Sequence, residues 1–401
     1  MPKTQRLTPA SFSEMTSSRE RAHDIDWLRV LAVLLLIPYH SAVIFARPYV
    51  SYIKQEPNAA FEAFAYFMNQ WHMALLFLLS GVGAWYSLES RVGRQYLAER
   101  IKRLVVPLVF GTFAIVPVQV YFQRLYYHEF SGSIVEFYPR IFAGIYPHGN
   151  FTWGQLWFLA YLFVFSVLLL PVFLHFKTNR GRMWTSRAAA FCNGRLVFLA
   201  PAIPFMLAQA LLRAKWPGFQ NLYNDWANFA FYMTAFLYGY LLFSVSDFRQ
   251  VVAKRHAVSL ALGIVSMGII LGLRQTGNAP SPGYSASWIL FMLLHGFSSW
   301  CWLVGLLGLG RKYLNFDTPL IQYASEAVLP FYILHHAAIV AAAFFVLKFE
   351  AGVMVEFISI NILSFILTIC FYEFLIRRLD VFRILFGMRA KRPVVVQNAI
   401  S

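Results

Sequence analysis

The sequence of 401 residues is 59% hydrophobic and 18% aromatic, and only 13% of its residues are charged. Soluble globular domains average about 25% charged residues. The composition therefore excludes an ordinary soluble enzyme and predicts an all-α, polytopic membrane protein. The net charge of +16 is typical of the basic cytoplasmic loops of membrane proteins and does not indicate a nucleic-acid-binding face.

Ten segments have the apolar length of about 20 residues that a transmembrane helix needs. With the N-terminus in the cytoplasm, the predicted cytoplasmic segments hold 25 of the 34 lysines and arginines, and the external segments hold eight. Because basic loops are retained in the cytoplasm, this bias predicts that both termini are cytoplasmic. The predicted spans are 27–46, 65–88, 104–123, 155–176, 196–212, 228–246, 257–273, 287–309, 324–347 and 353–376.

Polar segments flank the predicted membrane domain of residues 24–380. Residues 1–23 are rich in serine and threonine and lack the apolar core of a signal peptide, so we expect a disordered cytoplasmic tail. Residues 381–401 are predicted to form a basic cytoplasmic tail. The three cysteines are too dispersed to indicate a zinc site or a disulfide framework.

The first span carries two side chains that are costly in a bilayer, Arg29 and His40. Eleven positions make three helical turns plus about 20°, so both side chains project from one face, roughly 16 Å apart along the axis. Pro38 predicts a kink just before His40, because its ring crowds the carbonyl of Leu34. Alone, Arg29 is also consistent with an interfacial anchor, and His40 with a histidine bonded to a neighbouring helix. The aligned pair favours a functional site.

A basic cluster opens the third span, in the sequence RIKRLVVP at residues 100–107. Arg100 and Arg103 are three residues apart and face the same side of a helix start. Guanidinium groups bind phosphates in bidentate geometry, so the cluster suits a phosphorylated cytoplasmic molecule. The same cluster also satisfies the positive-inside rule without any further role.

The longest external segment, residues 124–154, is rich in aromatic, histidine and amide side chains. Aromatic rings offer apolar faces to sugar C–H groups, and amides hydrogen-bond hydroxyls. The segment therefore predicts contact with a carbohydrate. An aromatic belt at the membrane interface would have the same composition.

A second histidine site lies in the sequence LPFYILHHAAIV at residues 329–340. His335 is about eleven residues into the predicted ninth span, the same depth as His40 by the helical rise. Adjacent helical residues point about 100° apart, so His335 and His336 are not expected to face one cavity equally, and the role of His336 is left open. Histidine exchanges protons near neutral pH, so the matched depth predicts a buried proton-transfer centre. No metal site is predicted, because no third ligand has a suitable spacing.

These motifs occur in the order found in the integral-membrane acyltransferase-3 family, which the chain resembles over nearly its whole length. Within that family, the chain is most similar to the branch implicated in succinylating periplasmic glucans. The motifs are Arg-X10-His at Arg29 and His40, Arg-X2-Arg at Arg100 and Arg103, LWFL at 156–159 and YILHH at 332–336.

The resemblance implies transfer of a short acyl group, acetyl or succinyl, from a cytoplasmic acyl-CoA to a hydroxyl of an extracytoplasmic carbohydrate, in the bacterial inner membrane. It implies that His40 and His335 are catalytic. It also implies that Arg29, Arg100 and Arg103 bind the donor.

One position departs from the family pattern, because relatives often have histidine directly before LWFL and this chain has Gln155. An amide binds hydroxyls but is not a base, so Gln155 and Trp157 are assigned to acceptor binding. No bound cofactor is expected, since acyl-CoA is a co-substrate. The expected partners are acyl-CoA, the carbohydrate and the lipid bilayer, without nucleic acid, and the oligomeric state is left open.

A proton-coupled secondary transporter is the main alternative function. Against it, the sequence has no detectable internal repeat, and Glu326 and Glu373 fall near the cytoplasmic ends of their spans instead of at mid-depth. A purely structural membrane protein would give no reason to bury Arg29 and His40 on one face. The sequence favours an acyltransferase and leaves open the acyl group, the acceptor, and direct transfer versus an acyl-histidine intermediate.

Overall fold

The computed structural model describes residues 22–47, 49–218 and 220–390, and these are almost entirely helical. The part of the chain so described contains no β-strand, only an isolated bridge between Ile145 and Phe151. Of the tails predicted for residues 1–23 and 381–401, residues 1–21 and 391–401 lie outside the described residues.

The first half of the chain forms three long helical passages, a surface loop with short helices, and a bent passage over residues 154–176. A π-helical turn, Ile101–Val105, joins the helices Gly93–Arg100 and Val106–Ala114, and a 3₁₀ turn, Gly154–Leu156, precedes the helix that begins at Trp157. The helices are α1 His23–Leu34, α2 Leu36–Ile44, α3 Ala59–Glu89, α4 Gly93–Arg100, α5 Val106–Ala114, α6 Val116–Tyr126, α7 Ile134–Phe137, α8 Trp157–Leu168 and α9 Leu170–Phe176.

The second half contains three uninterrupted helices of 28 to 30 residues. π-helical turns cover Ala208–Leu212 and Tyr372–Ile376 and extend the helices that precede them. The helices are α10 Asn179–Cys192, α11 Ala202–Leu207, α12 Trp226–Ser244, α13 Ser246–Gln275, α14 Ala286–Tyr313, α15 Pro319–Val346, α16 Val353–Phe371 and α17 Asp380–Leu385.

Seven helical segments of the described chain are long and apolar enough to cross a membrane, and two bent pairs raise the number to nine. The pairs cover residues 154–176, bent by 50°, and 179–212, bent by 120°. Helix α12 coincides with a predicted span but is not among these candidates. The helical, multi-pass class is confirmed, whereas the count of ten spans and the orientation of the termini stay predictions.

The two ends of the helix bundle are distinguished by contacts between elements. At one end, the Trp27 indole donates to the carbonyl of Phe316, and Leu28 packs against Gly310. We refer to this as the tail end, because the described chain begins there. The other end carries the connections 45–58, 127–153, 213–225, 276–285 and 347–352, and we refer to it as the loop end.

Helix α3 lies at the centre of the bundle, where it packs against α1, α12 and α14. Its contact with α12 is close because two glycines face each other. A Cβ atom at Gly81 would lie 2.0 Å from the carbonyl oxygen of Phe236, and one at Gly239 would lie 1.8 Å from that of Leu78. Small residues thus let the two backbones touch, as in other membrane helix pairs.

The segment after α16 folds back onto the tail end of the bundle. Arg383 on α17 is buried, and its guanidinium bonds Glu326 on α15 at 2.6 Å. Phe386 is also buried and contacts the ring of Phe110. The first residues of the predicted basic tail are therefore packed against the helices.

Candidate active site

Three histidine rings meet inside the bundle: His40 on α2, and His335 and His336 on α15. The centroid of the His40 ring lies 5.3 Å from that of His335 and 4.3 Å from that of His336. Both α15 histidines are buried, with relative exposures of 1% and 9%. These residues form the histidine cluster, which brings together the two catalytic residues expected from the sequence.

The two helices carry their histidines at the same depth. His40 is 17 residues from the start of α1, and His335 is 16 residues from the start of α15. At 1.5 Å per residue, both lie roughly 25 Å from the tail end. His335 is therefore deeper than predicted, because the predicted span begins at Ala324 whereas α15 begins five residues earlier, at Pro319.

The helix that carries His40 is broken one turn before it. Helix α1 ends at Leu34 and α2 begins at Leu36, with Leu35 between them. Pro38 explains the position of the break, because its ring excludes a regular helix at the carbonyl four residues earlier. The interruption separates the segment with Arg29 from the segment with His40.

A backbone contact defines the tautomer of His335. Its Nδ1 atom lies 2.7 Å from the carbonyl oxygen of Tyr332, which accepts only. Nδ1 therefore carries the proton, and the neutral ring presents an unprotonated Nε2. This buried Nε2 has no hydrogen-bond partner among the described residues, so His335 has an unused lone pair inside the bundle.

Sequence reasoning did not assign a role to His336, yet its ring is the nearer of the two to His40. The His40 ring lies near both His335 and His336, although the Cα–Cβ bonds of these two residues point in different directions. An imidazole ring extends beyond Cβ, so both rings can turn toward His40. His72 on α3 was also missed. Its Nε2 donates to the Ala32 carbonyl at 2.6 Å, and its ring lies 6.1 Å from that of Tyr39. The adjacent pair of histidines in the sequence could have indicated His336, whereas no motif or spacing in the sequence distinguishes His72.

Arg29 and Arg100 converge on α3 near the tail end. Arg29 Nη2 donates to the carbonyl of Leu79 at 3.4 Å, and Arg100 Nη2 donates to that of Gly83 at 3.4 Å. These carbonyls are one helical turn apart, which places both guanidinium groups along one stretch of α3. The structure thus brings together two motifs that are far apart in the sequence.

Arg103 completes this group, and Glu99 holds part of it in place. Glu99 lies 3.9 Å from Arg103, 3.2 Å from Arg91 and 3.9 Å from Arg389, and it accepts a hydrogen bond from Ser87 at 2.7 Å. Asp26 pairs with Arg29 at 3.3 Å. The guanidinium groups outnumber these two carboxylates, so the local charge stays positive. We refer to Arg29, Arg100 and Arg103 as the arginine cluster.

The π-helical turn Ile101–Val105 lies between Arg100 and the rest of its span. Such turns are frequent at functional sites because they leave backbone and side chains outside the regular helical register. The buried Nε atom of Arg100 has no hydrogen-bond partner within the described chain. Buried donors are rarely left this way, so Arg100 retains an unused donor.

Gln155 contacts both α6 and α15, the helix that carries His335 and His336. Its Nε2 donates to the Ile333 carbonyl at 2.9 Å, its Oε1 accepts from Gln119 at 2.9 Å, and its backbone carbonyl accepts from the Tyr332 hydroxyl. Both ends of the amide are used inside the protein. The acceptor-binding role assigned to Gln155 stays a prediction, and its observed contacts position α15.

Trp157 lies in the aromatic core of the bundle. Its ring is 8% exposed and contacts Tyr161 at 5.3 Å and Tyr232 at 5.6 Å between centroids. The first contact lies within α8, and the second packs α8 against α12. The acceptor-binding role assigned to Trp157 also stays a prediction.

The connection 45–58 covers the loop end of the histidine cluster. The Tyr52 ring lies 5.3 Å from that of His336. The Lys54 ammonium donates to the carbonyls of Val43 at 2.8 Å and Ala46 at 2.6 Å, at the C-terminal end of α2. Partial burial lowers the pKa of Lys54 to about 8. Lys54 thus ties this connection to the helix that carries His40.

A family model described as an acyltransferase domain matches residues 22–373 of the chain. The chain is also similar to the glucans biosynthesis protein C of Escherichia coli O6:K15:H31 (strain 536 / UPEC) and that of Escherichia coli (strain SMS-3-5 / SECEC). Each is 22% identical to it over 329 residues, which cover 79% of this chain and 82% of the relative. No solved structure matches the chain significantly.

The family match covers both clusters, from the first helix to the end of α16. It favours an enzyme over the transporter that the sequence left as an alternative. The chain is a multi-pass membrane protein and an acyltransferase, and it belongs to the acyltransferase-3 family.

Proposed function

We propose that the protein transfers a short acyl group, acetyl or succinyl, from a cytoplasmic acyl-CoA to a hydroxyl of an extracytoplasmic carbohydrate such as a periplasmic glucan. The observation that carries this proposal is the placement of the histidine cluster between a basic tail end and an aromatic, amide-rich loop end. The name of the relatives, glucans biosynthesis protein C, supports a glucan acceptor.

The arginine cluster is proposed to bind the phosphates of the donor, because guanidinium groups pair with phosphates in bidentate geometry. Arg29 and His40 are eleven residues apart, which corresponds to roughly 16 Å along a helix. An extended acyl-CoA held by its phosphates at the arginines would direct its thioester along this path. In this proposal the donor therefore enters from the tail end.

The proposed reaction takes place at the histidine cluster. His40 removes the proton of the acceptor hydroxyl, the oxygen attacks the thioester carbonyl carbon, and the C–S bond breaks. The proton passes from the imidazolium to the departing CoA thiolate. His335, with its unprotonated Nε2, assists by accepting a hydrogen bond or the proton. A two-step route through an acyl group on His40 gives the same products.

Mass spectrometry of cell-envelope glycans tests the proposal in cells that contain the protein, lack it, or contain His40→Ala. We expect acylated glycans only with the wild-type protein. His40→Ala must be present in membranes at the wild-type level, which immunoblotting measures. Equal glycan acylation in all three strains would contradict the proposal for this class of acceptor.

The proposed direction of transfer requires the loop end to face outward across the bacterial inner membrane. Cysteine labelling in a background without Cys370 tests it. A membrane-impermeant maleimide should react in whole cells with a cysteine at the exposed position Val135, in the 127–153 connection. It should not react with one at the exposed position Met183, on α10. The reverse pattern would overturn the orientation on which the mechanism rests.

A further inference from the structure

Buried polar atoms without partners gather beside the histidine cluster. They are the Oε1 atoms of Gln119 and Gln123 on α6, Nε2 of His335 and Nδ1 of His336, and none has a hydrogen-bond partner among the described residues. Almost all buried polar atoms in proteins are hydrogen-bonded to protein or water. Four such atoms on two packed helices, α6 and α15, indicate a site that a ligand completes.

The orientation of the Gln119 amide follows from its neighbours. The Ile333 carbonyl accepts only, so Gln155 must present its Nε2 to that carbonyl and its Oε1 to Gln119. Gln119 must then present its own Nε2 to Gln155. Its Oε1 is left over as an acceptor, and Gln119 is completely buried. Gln123 is one turn further along α6, so the two oxygens belong to one face of the helix.

Tyr52 connects these oxygens to the histidines. Its ring contacts His336 at 5.3 Å and Tyr146 at 5.4 Å between centroids. Its hydroxyl lies beside Gly154, where a Cβ atom would be 2.9 Å from that hydroxyl and 3.5 Å from Gln119 Oε1. Tyr146 in turn accepts a hydrogen bond from Gln123 Nε2 at 3.1 Å. The amides, the tyrosine rings and the histidines therefore surround one region.

The chemistry of this region selects a neutral ligand with hydroxyl groups. The two amide oxygens and His335 Nε2 accept hydrogen bonds, so the ligand must donate them. The nearby cation of Lys54 is engaged by the carbonyls of Val43 and Ala46. The tyrosine rings add apolar faces that suit the C–H groups of a sugar.

We propose that Gln119, Gln123, Tyr52 and Tyr146 form the subsite for the acceptor sugar. The amide oxygens accept hydrogen bonds from hydroxyls adjacent to the one that is acylated, and Tyr52 packs against the ring next to the histidines. This inference rests on the proposed function. It gives Gln155 the task of orienting Gln119.

The test compares Gln119→Leu, Gln123→Leu and Tyr52→Phe with the wild type at matched membrane levels. Acylation of released envelope glycans measures transfer to the native acceptor. Hydrolysis of acetyl-CoA by the purified proteins without a sugar measures the donor half of the reaction. We expect Gln119→Leu and Gln123→Leu each to lower glycan acylation about fivefold to tenfold, the value of one hydrogen bond, and to lower hydrolysis less than they lower glycan acylation. Tyr52→Phe should have a smaller effect, because it keeps the ring.

Gln70→Leu is the matched control, because Gln70 is a buried glutamine whose amide is used by His295 and Ser299. It should lower stability without a selective loss of transfer. Wild-type glycan acylation by folded Gln119→Leu and Gln123→Leu proteins would overturn the subsite and leave water as the partner of the amides. If Gln119→Leu does not fold, Gln123→Leu alone decides. Absence of glycan acylation by the wild type would instead refute the proposed function.

Discussion

The two polar regions of the bundle differ in how completely their side chains are paired. In the arginine cluster, Arg29 and Arg100 each donate to a carbonyl of α3, and Glu99 binds Arg103, although the Nε atom of Arg100 has no partner among the described residues. In the histidine cluster, by contrast, the free nitrogens of His335 and His336 have no partner in the described chain. The first region is charged and is held mainly by contacts within the protein, whereas the second contains buried ring nitrogens that the described chain leaves unpaired.

The largest expected effect lies in the histidine cluster. His335→Ala should lower acyl transfer at least about a hundredfold, because general acid–base groups contribute roughly 10² to 10⁴ in rate. His295→Gln is the control, since His295 is also buried but is bonded on both nitrogens, by Tyr66 at 2.9 Å and Gln70 at 2.8 Å. Rates of transfer by the purified proteins check this. Equal losses in both variants would mean that any buried histidine is needed only for folding.

The arginine cluster should respond in donor binding. Arg100→Ala is expected to raise the KM for acyl-CoA about tenfold or more, because charge-assisted hydrogen bonds are stronger than neutral ones. Arg94→Ala tests for a general charge effect, since Arg94 lies exposed on the same helix, α4. KM and kcat measured at low and high salt distinguish a specific contact of Arg100 from a general effect of positive charge. An unchanged donor KM in Arg100→Ala would remove the arginines from the donor site.

The smallest effect is expected at Lys54, which holds the end of α2, the second half of the interrupted first span. Lys54→Met removes the ammonium that bonds Val43 and Ala46 at the end of α2. We expect a loss of about 1 kcal/mol in the free energy of unfolding and a modest decrease in transfer, because α2 carries His40. Thermal unfolding in detergent measures it. Lys348→Met, which removes a cation stacked on Phe344, should change stability without changing transfer.

Several features of this protein could be predicted from its sequence because they depend on local properties. Composition and apolar length predicted a helical membrane protein. The helical rise predicted the same depth for His40 and His335, and the structure brings the two histidine rings within 5.3 Å. The shared face predicted for Arg29 and His40 stays a prediction. Pro38 predicted the break before His40, which lies at Leu35. Each of these needs only the spacing of residues along one helix.

Tertiary structure alone decided which side chains face one another. The position of His336 against His40, the position of His72, and the chain of amides from Gln119 to Ile333 depend on how α2, α3, α6 and α15 pack together. Helical spacing describes only one helix at a time. The rotation and axial offset between helices come from packing over the whole bundle, so the sequence determined the reactive groups and the fold decided their partners.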